Sequence, residues 1–206
     1  MKKGVVRTGV FVLNYLVMKG GLNDMGLSNA WHHLVTITEH KLLVMEHCFK
    51  VGLYRQGLLH DLSKYTPSEF LTGVRYYQGT RSPNAAERDS LGYSAAWLHH
   101  KGRNKHHFEY WIDFSKKSQG MVGCKMPLRF VVEMVMDRMA ASKVYRGKDY
   151  TDAASWEYYQ NEKPYLDGVM NPETKALLEK ILLMLKDRGE EATFAYLRKL
   201  LKRGTY

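Results

Sequence analysis

The stretch Leu58-Leu59-His60-Asp61-Leu62-Ser63-Lys64 decides how this chain is read. It sets a histidine and an aspartate side by side behind an apolar pair. One neutral nitrogen donor and one anionic oxygen donor therefore leave the chain at the same point. Imidazole is a common metal ligand near neutral pH, and a carboxylate can bridge two cations while an imidazole binds one. A His-Asp pair alone is a weak signal, and its weight comes from its company. All nine histidines lie between His32 and His107, leaving the last 99 residues with none.

Working outward, apolar residues recur at helical rather than alternating spacing almost throughout, which predicts an all-α fold. Upstream, helices are expected over residues 5–18 and 28–50, with Gly20-Gly21 between them and Gly52 after the second. A short helix over 56–62 carries the His-Asp pair. Thr66, Pro67 and Glu69 read as a capping box that starts a helix reaching about 77. Further helices are expected over 85–100, 127–146 and 152–159. Asn171-Pro172 opens another, which Gly189 stops before a last basic helix ends near 202. Segments 101–111 and 115–125 read as irregular chain. The expected organisation is an N-terminal helix in 1–27, a metal-binding core in 28–146 and a helical extension of the same domain in 147–206.

Composition narrows the function classes. With 206 residues, 45% hydrophobic and 25% charged, the chain has ordinary globular composition, which excludes collagen, coiled coil and long disorder. Cys48 and Cys124 cannot build a disulfide framework and fit a reducing cytoplasm, the expected location. The apolar stretch over 9–18 is too short to span a bilayer, so no membrane partner is expected. A net charge of +10, from 31 Lys+Arg against 21 Asp+Glu, favours anionic partners. A phosphorylated small molecule or nucleotide heads that list, with nucleic acid behind it.

His40, His60-Asp61, His99-His100, His106-His107 and Asp137 follow one another in the order His, His-Asp, further His, Asp. That order resembles the HD-domain superfamily of metal-dependent phosphohydrolases, in which a helical bundle points such side chains into one central site. His60-Asp61-Leu62-Ser63-Lys64 is similar to the family's HD-x-x-K form, and residues 132–140 resemble the helix bearing its final Asp ligand. More narrowly, Glu39-His40-Lys41, His60 through Phe70, Ala96-Trp97-Leu98-His99-His100, Asn104-Lys105-His106-His107 and Tyr110-Trp111 resemble a bacterial and phage family of unassigned function.

The resemblance implies an HD-domain-like helical bundle with additional C-terminal helices, holding one or two divalent ions of Mn, Fe, Mg or Zn. His40, His60, Asp61 and Asp137 would form the primary site, and His100 and His107 would complete a two-metal site bridged by Asp61. The interval from His40 to His60 is 20 residues, shorter than the superfamily's usual spacing. His32 and His33 stand at the more usual separation. His47 lies two helical turns from His40 on nearly the same face, and the narrower family's pattern favours His40. Within each downstream pair, helical geometry turns adjacent side chains about 100° apart, so one member of each, His100 and His107, is expected to face the site.

Asp61 and Lys64 are the catalytic candidates, and Lys64, Lys101, Arg103 and Asn104 the candidates for holding a phosphate. Lys64 reads equally as a helix C-terminal lysine favoured by the macrodipole, and Lys101 and Arg103 as a solvated loop. Asp137 sits among Met134, Val135, Met136 and Met139 and needs a partner to be buried there. The function expected is hydrolysis of a nucleotide or other phosphorylated small molecule. The alternatives are a di-iron oxygenase on the same fold, or a non-enzymatic helical module that binds nucleic acid or protein and carries a structural metal.

Overall fold

Residues 24–206 are described by a computed structural model, and the helix expected over 5–18 lies outside the described residues. In chain order the helices are α1 (Asp24–Lys50), α2 (Tyr54–Leu59), α3 (Pro67–Arg75), α4 (Pro83–Leu91), α5 (Ala95–Lys101), α6 (Leu128–Arg146), α7 (Ala154–Leu166) and α8 (Pro172–Arg203). Among the described residues the fold is all-α but for one small hairpin between α5 and α6, formed by β1 (Ile112–Ser115) and β2 (Gly120–Gly123). Among the described residues, no helix is long and apolar enough to cross a membrane.

The described chain divides into two units, one made of residues 24–39 and 64–99 and the other of 40–63 and 100–206. In the first unit, Ala30, Leu34 and Ile37 recur every three or four residues on α1 and pack with Phe70 and Val74, one turn apart on α3. In the second, Val44 and Cys48 of α1 join a larger core with Val131, Val135 and Met139 of α6 and Leu178, Ile181 and Leu185 of α8. Each such fully buried side chain contributes about 1.5–3 kcal/mol. This core fixes α6, the helix that carries Glu133 and Asp137.

Local chemistry explains the helix ends. Asn171 Oδ1 accepts from the backbone N–H groups of Glu173 and Thr174 at 3.1 and 3.2 Å, with Pro172 at the first helical position of α8. Gly189 interrupts α8 with φ 77°, a left-handed conformation open to glycine at little cost, and the helix resumes at once beyond it. Ser94 caps α5 by accepting from the Trp97 N–H at 3.0 Å. That cap splits the single helix expected over 85–100 into α4 and α5.

Two other expectations are corrected. Thr66 stands at the N-cap of α3 with extended dihedrals, yet its side chain makes no capping hydrogen bond, and Glu69 turns instead to His99. The segment from 115 expected as loop contains β2, paired antiparallel with β1 from Ile112↔Gly123 to Ser115↔Gly120. Four residues per strand are too few for alternation to stand out in the sequence. Gly123 is needed there because a Cβ would lie 2.3 Å from the Val169 carbonyl oxygen.

Candidate metal centre

The second unit gathers most of the histidines around Asp61. α2 ends at Leu59, His60 follows with extended dihedrals, and Asp61 takes φ 53°, a left-handed conformation unusual outside glycine. Such backbone is stored where the surroundings hold it. Lys41 supplies one of those restraints, its Nζ donating to the Leu58 and His60 carbonyls at 2.9 and 2.8 Å. Lys41 thereby satisfies carbonyls that the end of α2 leaves open, and it ties the His60-Asp61 corner to α1 beside His40.

Donor atoms fall into three groups, two of which share Asp61, the third being His60, His106 and Glu133. On the Oδ2 side are His60 Nε2 at 3.3 Å and His40 Nε2 at 3.8 Å. Asp137 Oδ1 lies 2.9 Å from His40 Nε2 and 3.4 Å from His60 Nε2. On the Oδ1 side are His100 Nε2 at 3.3 Å and His106 Nε2 at 3.5 Å, with His107 completing the group. Ligands bound at about 2.1 Å in tetrahedral or octahedral geometry sit about 3.0–3.4 Å apart. Five of the six spacings fall within 0.1 Å of that range, and His40 to Asp61 at 3.8 Å is wider.

Glu133 settles which ring nitrogens are available. Its Oε1 lies 3.0 Å from His60 Nδ1 and 3.3 Å from His106 Nδ1. An ionised carboxylate only accepts, so both rings carry a proton on Nδ1 and turn Nε2 inward. The buried His60 Nε2 faces Asp61 and Asp137 at 3.3 and 3.4 Å, and the buried His106 Nε2 faces Asp61 at 3.5 Å. Ring nitrogens and carboxylate oxygens gathered this closely in a buried site suit a cation held between them. His100 has different neighbours, its Nδ1 lying 3.3 Å from Ser63 Oγ and 3.1 Å from Asn104 Nδ2, and Asn104 Nδ2 also donates to Ser63 Oγ at 2.8 Å and to the His100 carbonyl at 2.9 Å.

The electrostatics are those of an acidic hole lined by imidazoles. Burial alone would lower the pKa of His60, but the Asp61 charge and hydrogen bonds with Asp137, Asp61 and Glu133 hold it well above the ordinary histidine value. Burial would raise Asp137, yet hydrogen bonds from His40 and His60 keep it well below the usual carboxylate range. Glu133 is likewise lowered against burial by its bonds to His106 and His60. His107 is pushed well down by burial and by the neighbouring His106 and His100. Without a cation, the proton held on His60 offsets the carboxylates around it, and a metal ion would take its place.

The structure thus brings His40, His60, Asp61, His100, His107 and Asp137 together and adds His106 and Glu133. His99 turns away to Glu69, while His106 and His107 both stay with the group, their rings 4.1 Å apart. These two lie in a turn rather than on a helix, so the 100° separation does not apply to them. Lys101 is half-buried at the end of α5, and Arg103 is exposed in the following turn. Lys64 belongs to the first unit, on the short 3-10 turn Leu62–Tyr65. His32, His33 and His47 lie outside the metal-competent groups. Nitrogen and carboxylate donors in these numbers can hold one or two divalent transition ions.

A family model described as a family of unknown function (DUF5662) matches residues 29–184, a span that includes every candidate ligand. No curated protein and no solved structure matches the chain.

Proposed function

We propose that this chain, which belongs to the family of unknown function DUF5662, is a metal-dependent phosphohydrolase of the HD type, acting on a nucleotide or other phosphorylated small molecule. The observation that carries the reading is the double group of buried donors sharing one carboxylate, Asp61. A divalent pair held there would supply Lewis-acid activation of water and offset negative charge developing on a phosphoryl group.

The chain's own residues do the positioning. Glu133 fixes the His60 and His106 tautomers, Ser63 orients His100, and Lys41 holds the corner that presents Asp61. The order His40, His60-Asp61, His100, Asp137 supports the HD assignment. The net charge of +10 supports an anionic substrate, with Lys101 and Arg103, one and three residues after His100, as candidate phosphate-holding cations.

Elemental analysis of protein purified without chelator or histidine tag, followed by a screen of nucleotides and sugar phosphates for phosphate release, tests this reading. One or two equivalents of redox-silent metal and a phosphoester turned over support it. Iron as a redox-active pair, without phosphatase activity, would redirect the site to oxygen chemistry. Negligible metal after incubation with manganese, iron and zinc would sink the metalloenzyme and leave a helical binding protein.

A further inference from the structure

A second constellation lies within the first unit, where the start of α3 meets the end of α5. Ser68 Oγ is 3.1 Å from His99 Nε2, and His99 Nδ1 is 2.6 Å from Glu69 Oε1. Glu69 is buried at 6% exposure, His99 is half-buried and Ser68 is exposed. Because a carboxylate only accepts, the His99 proton sits on Nδ1 and the Nε2 lone pair faces the Ser68 hydroxyl. Hydroxyl, imidazole and carboxylate joined in that order are the arrangement that makes a serine nucleophilic, and it is recognised by geometry rather than by position in the chain.

We propose that Ser68, His99 and Glu69 form a second active site, in which Ser68 is the nucleophile toward small carboxylic esters. Ser68 stands at the second position of α3, behind Pro67, which has no N–H. The Glu69 and Phe70 N–H groups already donate to the Thr66 carbonyl at 3.2 and 2.8 Å, so the helix dipole is what favours negative charge at this end. Charge developing on the ester oxygen is therefore stabilised at the same helix end that carries the nucleophile. Leu71, one turn along α3 and 42% exposed, offers an apolar neighbour for the acyl chain.

The step balances without any further reactant. Ser68 Oγ bonds to the ester carbonyl carbon as its proton passes to His99 Nε2, and the carbon–oxygen bond to the alcohol breaks as that proton leaves with the alcohol. Water then repeats the sequence, releasing the carboxylic acid and restoring Ser68. Glu69 holds the imidazole in register and stabilises its charged form while it carries the proton.

The test uses the full chain in the presence of EDTA, which separates this site from the metal centre. The protein is treated with a phosphonofluoridate probe, the adduct is located by peptide mass spectrometry, and hydrolysis of p-nitrophenyl acetate is followed in parallel. An adduct on Ser68, loss of p-nitrophenol release in Ser68→Ala, and labelling slowed about 100-fold in Glu69→Gln are expected. Ser68→Ala alters an exposed hydroxyl and Glu69→Gln keeps the buried shape, so circular dichroism should show both folded. An adduct no more frequent on Ser68 than on other exposed serines, wild-type labelling in folded Glu69→Gln, or unchanged ester hydrolysis in Ser68→Ala would overturn the proposal.

Discussion

His40 and His47 stand two turns apart on α1, both buried and both in the second unit, yet they meet opposite surroundings. His40 Nε2 faces Asp137 and Asp61. His47 Nε2 faces the ammonium of Lys143 at 3.2 Å, and Lys143 is paired with Glu190, which also accepts from the Tyr150 hydroxyl. Burial and the Lys143 charge push the pKa of His47 down to about 4. Helical spacing makes the two histidines equivalent in the sequence. The chain opposite each one decides whether the ring is offered to a cation or kept neutral beside one.

Substitutions at the two places should therefore differ most in bound metal. Asp61→Asn keeps the side-chain shape and the left-handed φ that Asn tolerates, but removes the charge shared by the two donor groups. Metal content is expected to fall to near zero by elemental analysis, whereas His47→Gln should keep the wild-type content. Equal metal in Asp61→Asn and wild type would break the contrast. Glu133→Leu comes next, because it removes the acceptor that orients His60 and His106 and leaves every donor of the two groups around Asp61 in place. A loss of about 10–100-fold in metal affinity is expected, read by competition with a chromophoric chelator. Unchanged affinity would mean that other groups fix those two rings.

The sequence shows part of this and hides part for identifiable reasons. Helices were legible wherever an apolar stripe met a good start or stop, as at Asn171-Pro172 and Gly189. The hairpin was not, since its strands are short and its turn, with Gln119 at φ 51°, lacks a two-residue signature. His60-Asp61 and Asp137 were legible as candidates because their types are rare behind or within apolar runs. Glu133 was missed although it sits four residues before Asp137 on the same face of the same apolar helix, a spacing that could have raised it. His106 was passed over by applying helical geometry to a turn. Glu69 was assigned to a capping box that its side chain does not make, and its bond to His99 joins residues 30 apart in sequence.

Proton uptake measures the His47 side of the comparison. Its folded pKa of about 4 lies below the unfolded value near 6.5, so between these pH values the unfolded chain binds a proton that the folded chain refuses. Stability from this group is thus fully present above about pH 6.5 and is lost as the pH falls toward 4. The loss reaches about 3 kcal/mol at most, at roughly 1.4 kcal/mol per unit. Urea unfolding in EDTA at pH 7 and pH 4.5 should show His47→Gln losing about 2–3 kcal/mol less than wild type on acidification. Equal losses would mean that His47 is not buried as a neutral ring.

Lys143→Met produces the smallest change and separates the two causes of the low His47 pKa. Burial is the larger cause and the Lys143 charge the second. Removing the ammonium should let the His47 ring titrate above about 4 in a histidine NMR titration, while burial still holds it below 6.5. The change leaves His47 with Glu190, the nearest approach in this corner to the acid-and-imidazole pairing around Asp61. Metal content should nevertheless stay at the wild-type level, since one imidazole and one carboxylate fall short of the donor number that holds a divalent transition ion. A gain of bound metal in Lys143→Met would show that the ammonium alone had kept the corner from binding a cation. The contrast between His40 and His47 would then rest on one charge rather than on the number of ligands.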